Sequence, residues 1–298
     1  VVQPGVWGER DAQVIRTGIV LPTFRQTPAG ALAAAHEAFA VGVDGVFVYD
    51  HIWPLGQPER PALAPFPILA ALVASGDAGT AGTSGASGTA GASGTAGASS
   101  HIPPTPGGGP FFGTLVARVG LVPNEVLLGQ FRALNLLAPG RIIAGLGTGD
   151  RLSEAENLAY GVPFGPAVER RAEMVELGLA LRALGITVWV AGGPGARTVE
   201  TRAVGAALNV WDAPADLVAS RSEGPEAVEV TWGGPPPRGG EGLEAHVVEL
   251  AQAGATWAIF GWPINPAALV AAGRKAEAVG KRATPGGKRS SRRPGVRS

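Results

Sequence analysis

The chain has 298 residues, 45% of them hydrophobic and 16% charged, with a formal net charge of zero. That composition supports a substantial core, and the balanced charge lacks the concentrated positive field on which nucleic-acid binding leans. Cysteine is absent, which excludes disulfides, a thiolate nucleophile and a zinc–thiolate site and favours an intracellular, cytoplasmic setting.

Short β-rich runs recur along the chain with helix-forming stretches between them. Residues 17–21 (TGIVL) read as the first strand, followed by a helix from Pro28 with Leu32, Ala35 and Phe39 on one side. Residues 46–49 (VFVY) are the second strand, and Pro67 opens a helix through Ile68, Leu69 and Leu72. The third strand is read at 113–119, after which Asn124 is placed as a cap and Leu127, Phe131, Leu134 and Ala138 as the buried face of a helix. Residues 142–146 form the fourth strand, and a helix over 166–184 carries the stripe Val168, Ala172, Val175 and Leu179. Strands five, six and seven are read at 187–191, 207–210 and 227–231; a helix over Leu243, Val247 and Leu250 then leads to the eighth at 257–261.

Eight strands with intervening helices predict a (β/α)8 TIM barrel, whose reactive groups gather at the carboxyl ends of the strands. An open doubly wound sheet fits less well, because the first strand runs into PTFRQTPAG and not into a glycine-rich dinucleotide loop. The barrel is expected to span residues 1–280 as one domain. Residues 75–100 are almost entirely Gly, Ala, Ser and Thr, and with HIPPTPGGGP they make a low-complexity insert at 75–110, ahead of strand three. Too little apolar surface offsets its ordering, so a mobile loop is expected there. The stretch 281–298, basic and rich in Pro, Gly and Ser, reads as a disordered tail. Residues 1–11 carry no secretory signal, and no apolar run is long enough to cross a bilayer.

Asp50 and His51 follow strand two directly, where a barrel projects reactive side chains. Imidazole exchanges a proton near neutral pH and a carboxylate can orient it, with a structural hydrogen bond as the plainer reading. Trp53 suits an aromatic wall over a ring, or a core or dimer contact. In GLGTGD, residues 145–150, the glycines permit close backbone approach to a flat ring, Thr148 offers a hydroxyl, and Asp150 suits proton transfer, substrate hydrogen bonding or turn capping. Glu154 and Glu156 read as solvated or capping loop charges, Glu154 being the one with a chance of touching a polar substrate. His36 and His246 lie within helices, His101 lies in the insert, and the scattered histidines form no metal pattern.

The runs GVDGVFVYDHIWP (42–54), 113–150, AYGVPF (159–164) and VWVAGG (188–193) resemble the luciferase-like monooxygenase superfamily, most of all the branch that uses the deazaflavin coenzyme F420. EVTWGG (229–234) and AGATWAIFGWP (253–263) resemble actinobacterial members of that branch. The resemblance implies a luciferase-like barrel, often homodimeric, with F420 across its top, or FMN as the alternative, and a small organic substrate. It implies His51 as base, Asp150 as a proton donor to the cofactor, and Asp50, Trp53, Thr148 and Gly149 beside the cofactor. Ala191, Gly192 and Gly193 match a run whose amides approach the cofactor's phosphate or side chain. Leu115 and Val116 match a pair that is often joined by a non-proline cis bond. The function implied is hydride transfer between F420 and substrate; an FMN-dependent monooxygenase is the alternative, and a non-catalytic binding barrel a third reading.

Overall fold

The β-rich runs form parallel strands in the computed structural model, which describes residues 14–76, 109–192 and 198–283. They are β1 (Arg16–Val20), β2 (Gly45–Val48), β3 (Phe111–Thr114), β4 (Ala117–Arg118), β5 (Ile142–Gly147), β6 (Thr187–Gly192), β7 (Ala207–Trp211), β8 (Val230–Gly234) and β9 (Ala255–Gly261). Around them lie α1 (Ala29–Val41), α2 (Pro65–Gly76), α3 (Asn124–Leu137), α4 (Glu154–Ala159), α5 (Ala167–Ala183), α6 (Thr198–Val204), α7 (Ala215–Ser222), α8 (Leu243–Gln252) and α9 (Pro266–Ala283). Strand β1 pairs with both β2 and β9, while β3 and β4 both pair with β5. The sheet therefore closes, with β3 and β4 as two halves of one stave, into the expected eight-stave barrel.

Aromatic rings fill the inside. Phe47 stacks on Trp189 with ring centres 5.2 Å apart, and Trp257 meets Phe47 edge-on at 5.6 Å. Val20, Phe111, Leu115, Ile143, Ala207 and Ile259 belong to the same inner cluster, so the interior is packed and not a channel. A second apolar layer lies between strands and helices, where α3 contributes Leu127, Phe131 and Leu134 and α8 contributes Leu243, Val247 and Leu250. Both stripes are those expected from the sequence.

Four expectations need correction. The third strand is not continuous over 113–119, because the chain leaves the ladder at Leu115 and Val116, whose peptide bond is cis. The seventh strand lies later than 227–231, since Gly233 and Gly234 are strand residues. Added Cβ atoms there would stand 3.1 Å from Trp211 and 2.3 Å from Trp232, so the pair answers indole crowding and not a turn. Asn124 begins α3 without capping it; Pro123 holds the cap position. Helix α5 buries Met174, Leu177, Gly178 and Leu181, leaving Val168 and Leu179 exposed.

The insert enters between α2 and β3, and 77–108 of it lies outside the described residues, as does the tail from 284 onward. A helix-to-strand connection arrives at the amino ends of the strands, opposite the rim where reactive groups gather. Among the described residues, no helix is long and apolar enough to cross a membrane.

Candidate active site at the carboxyl rim

Where β2 ends, Tyr49, Asp50 and His51 turn onto the rim. The Leu115 amide still donates to the Val48 carbonyl at 2.8 Å, but beyond it β2 offers no backbone to β4. Asp50 fills that gap: its Oδ2 accepts from the Arg118 amide at 2.9 Å. Burial raises the Asp50 carboxyl above its usual pKa, against the pull of that amide and of the Arg118 charge. Asp50 thus joins two staves at the mouth of the barrel.

His51 meets a residue 105 positions away. Its Nδ1 lies 2.8 Å from Glu156 Oε1, and Glu156 Oε2 accepts from the Ile52 amide at 2.7 Å. Arg118 Nη1 donates to the same Oε1 at 3.1 Å, and its Nη2 donates to Asn157 Oδ1 at 3.1 Å. Glu156 is fully buried, in contrast to the solvated or capping role expected for it, while Glu154 is exposed. Burial alone would lift the Glu156 carboxyl. The hydrogen bonds from His51 and the Ile52 amide and the charges of His51 and Arg118 outweigh it, and the net shift is downward. An ionised carboxylate only accepts, so Nδ1 donates to Glu156, and in the neutral form of the imidazole Nε2 is the acceptor that is left.

A cavity of about 560 Å³ opens beside this pair. Leu115, Val116 and Gly147 form part of its wall, with Phe24, Tyr49 and Trp211 as aromatic neighbours. A Cβ on Gly147 would stand 2.4 Å from Val116 Cγ2, so the glycine is what admits the valine. Phe24 stacks on Tyr49 at 5.5 Å and Trp211 meets Tyr49 edge-on at 5.9 Å. Burial raises the pKa of the Tyr49 phenol and keeps it a neutral donor. An apolar floor, stacked aromatics and glycine turns suit a flat, ring-bearing ligand.

The residues singled out from the sequence divide. Asp50, His51, Leu115, Val116, Thr148, Gly149, Asp150, Ala191 and Gly192 all line this cavity. The Leu115–Val116 bond is cis, as the resemblance implied for that pair. Arg170 on α5 braces the glycine turn, donating from Nε to the Thr148 carbonyl at 2.8 Å and from Nη2 to that of Gly149 at 3.3 Å. Asp150 makes capping bonds: its Oδ1 accepts from the Leu152 and Ser153 amides at 2.9 and 3.1 Å, and from Ser153 Oγ at 3.1 Å. Trp53 is half-buried and does not line the cavity; the chain turns again after His51, and Phe24, Tyr49 and Trp211 make the aromatic wall instead. Gly193 lies outside the described residues. Glu156, Arg118, Tyr49, Phe24, Trp211 and the buried Asn209 were not foreseen as site residues. Among the described residues, no group of acids and histidines could hold a metal ion.

No protein-family model and no curated sequence matches the chain. Solved structures share its fold. An F420-dependent secondary alcohol dehydrogenase, in complex with an F420–acetone adduct, is similar at a TM-score of 0.58 and 11% identity, over 83% of this chain and 93% of that one. Monooxygenase RslO1 from Streptomyces bottropensis is similar at 0.53 and 13%, over 90% and 98%. A coenzyme F420-dependent tetrahydromethanopterin reductase from Methanopyrus kandleri is similar at 0.52 and 12%, over 90% and 97%.

Proposed function

We propose that the protein is an F420-dependent oxidoreductase that moves a hydride between the deazaflavin and a small organic substrate. The observation that carries this reading is the His51–Glu156 pair, with Nε2 free, at a cavity whose walls are apolar, aromatic and glycine-rich. Two of the proteins that share the fold are named for F420, one of them an alcohol dehydrogenase.

When bound, the deazaflavin supplies the hydride acceptor or donor. Leu115, Val116, Gly147 and Thr148 would hold its ring, and the β6 end at Ala191 and Gly192 would take its side chain. His51 Nε2 removes the hydroxyl proton of an alcohol, or returns it to a carbonyl in the reverse direction. Glu156 holds the imidazole in that tautomer and stabilises its cation, the work a carboxylate does for a catalytic histidine elsewhere. The Tyr49 hydroxyl is a donor for the substrate oxygen. The capping bonds of Asp150 favour its structural role over proton transfer to the cofactor.

Parallel fluorescence titrations with F420 and FMN, at identical salt and pH, test the reading. F420 should bind more tightly and be reduced without oxygen by members of an alcohol panel. Tighter FMN binding coupled to oxygen-dependent product would replace the proposal with a flavin monooxygenase, as RslO1 shares the fold. Neither cofactor binding would leave a non-catalytic barrel.

A further inference from the structure

A second, smaller cavity of about 130 Å³ sits on the same rim, between the ends of β1 and β9 and the loop after β2. Phe24 and Tyr49 line both cavities, so the two share a wall. Its own feature is a pair of guanidinium groups, Arg25 and Arg60, set against Leu21, Pro22 and Trp262, with no acidic residue in the lining. Arg25 donates to the Phe24 carbonyl at 3.0 Å and Arg60 to Gln57 Oε1 at 2.8 Å. Neither has a carboxylate partner among the described residues. Each guanidinium carries five N–H donors in a planar fork, so most remain free for a ligand.

We propose that this cavity is an anion subsite, taking a carboxylate or phosphate group carried by the substrate. The assignment of that anion to the substrate rests on the function proposed above. Two uncompensated cations on one partly apolar recess favour an oxyanion, because guanidinium–oxyanion bonds are charge-assisted and can be bidentate. The position fits a substrate that bridges both cavities. A Cβ on Gly261 would stand 3.8 Å from Tyr49 Oη, which puts the phenol hydroxyl at the edge of the small cavity. In the ring of eight staves β1 lies four places from β6, so the loop after β1 that carries Arg25 leaves the barrel on the side opposite Ala191 and Gly192. A cofactor whose side chain leaves past β6 leaves the β1 end to the substrate. The reacting carbon would then stand near His51 and the anion between the two arginines.

The test uses the purified full chain without cofactor. The side-chain Nε–H signals of Arg25 and Arg60, assigned with Arg25→Gln and Arg60→Gln, are followed by NMR during additions of sodium phosphate and sodium acetate. Sodium chloride at matched ionic strength is the control. Saturable shifts of both signals with phosphate or acetate are expected in the wild type, and in each single variant the signal of the remaining arginine should titrate about tenfold or more weakly. Shifts no different from those with chloride, or a remaining-arginine titration undiminished in both single variants, would overturn the subsite. F420 titration of the double variant separates the two possible sources of the anion: unchanged affinity is expected, and a loss as large as that for phosphate in the single variants would overturn assignment to the substrate. Failure of F420 to bind the wild type would remove the proposed function, while saturation by phosphate would still establish the anion site.

Discussion

Replacing Glu156 by Gln changes one buried atom and leaves the shape intact. In the native site Oε1 serves His51 and Arg118, and Oε2 serves the Ile52 amide. A glutamine has one acceptor oxygen for those three donors. If the oxygen stays with His51 and Arg118, the new NH2 faces the Ile52 amide and leaves a buried N–H unpaired, which costs roughly 1–3 kcal/mol. Arg118, 3% exposed, also loses its counter-charge, and breaking a buried pair costs roughly 3–5 kcal/mol. The two penalties share a residue and do not add, so a total near 4 kcal/mol corresponds to a melting temperature lower by about 10 °C for a chain of this size. The alternative rotamer points the NH2 at His51 and favours Nδ1 as acceptor, with the proton moved to Nε2. Either outcome impairs His51 as a base, and turnover should fall by about 10²–10⁴-fold. Nitrogen-15 NMR of the imidazoles reads the tautomer without any substrate: wild-type His51 should show a protonated Nδ1 and a bare Nε2.

The stability difference between wild type and this variant should also depend on acid. The folded pKa of Glu156 is depressed below its usual 4.5, so its contribution is full above about pH 4.5 and fades as pH falls through the folded value. Asp50 shifts the opposite way, but it is present in both proteins and largely cancels in the comparison. A wild-type His51 with a bare Nδ1, or a folded Glu156→Gln protein with native turnover and an unchanged pH profile, would refute the positioning role.

His51→Ala should keep its circular dichroism and most of its cofactor affinity while turnover drops about 10²–10⁴-fold; near-normal turnover by the folded variant would remove the proton step from His51. Gly145→Ala would place a Cβ 2.2 Å from the Thr114 carbonyl oxygen, a backbone obstacle, and should cost about 3 kcal/mol, seen as a melting temperature about 6–12 °C lower. Asp150→Ala should lower melting by about 2–4 °C through loss of a cap worth about 1 kcal/mol, and Asp150→Asn should restore it. A pH–rate profile moved by Asp150→Asn would return Asp150 to proton transfer.

The barrel was legible because its signal is local. Runs such as TVWVA and WAIFG are β-branched and aromatic and sit between helical stretches, and strands formed over both. Two of the errors fell at glycines packed against larger side chains. Gly233 and Gly234 belong to a strand because indoles occupy the space their side chains would take. Gly178 centres the buried face of α5, where a Cβ would stand 2.8 Å from Val204; it shares that face with Met174, Leu177 and Leu181, and the stripe through Val168, Ala172, Val175 and Leu179 missed it. The site was half legible. Asp50, His51 and the GLGTGD turn sit at strand ends, where position alone marks them. Glu156 lies in a helix among other acids and looks like a solvated charge until the fold sets it beside His51. Arg118 alternates with apolar residues along its strand, and nothing in that pattern says that its guanidinium turns toward two residues of α4.

Barrels of this architecture diversify by exchanging the loops at their carboxyl rim, as though each were an independent module. In this chain two of those modules are tied together. The segment after β2 owes both a side chain and a backbone amide to α4, which follows β5, and Arg118 from the stave between them is engaged by the same carboxylate. Grafting either segment alone from a homologue would strand a buried arginine or a buried glutamate. Directed evolution of substrate range should therefore find its tolerated changes at Leu55 or Trp211, which line the cavity outside the tie, and should recover changes at 50–52 mainly together with changes at 156–157.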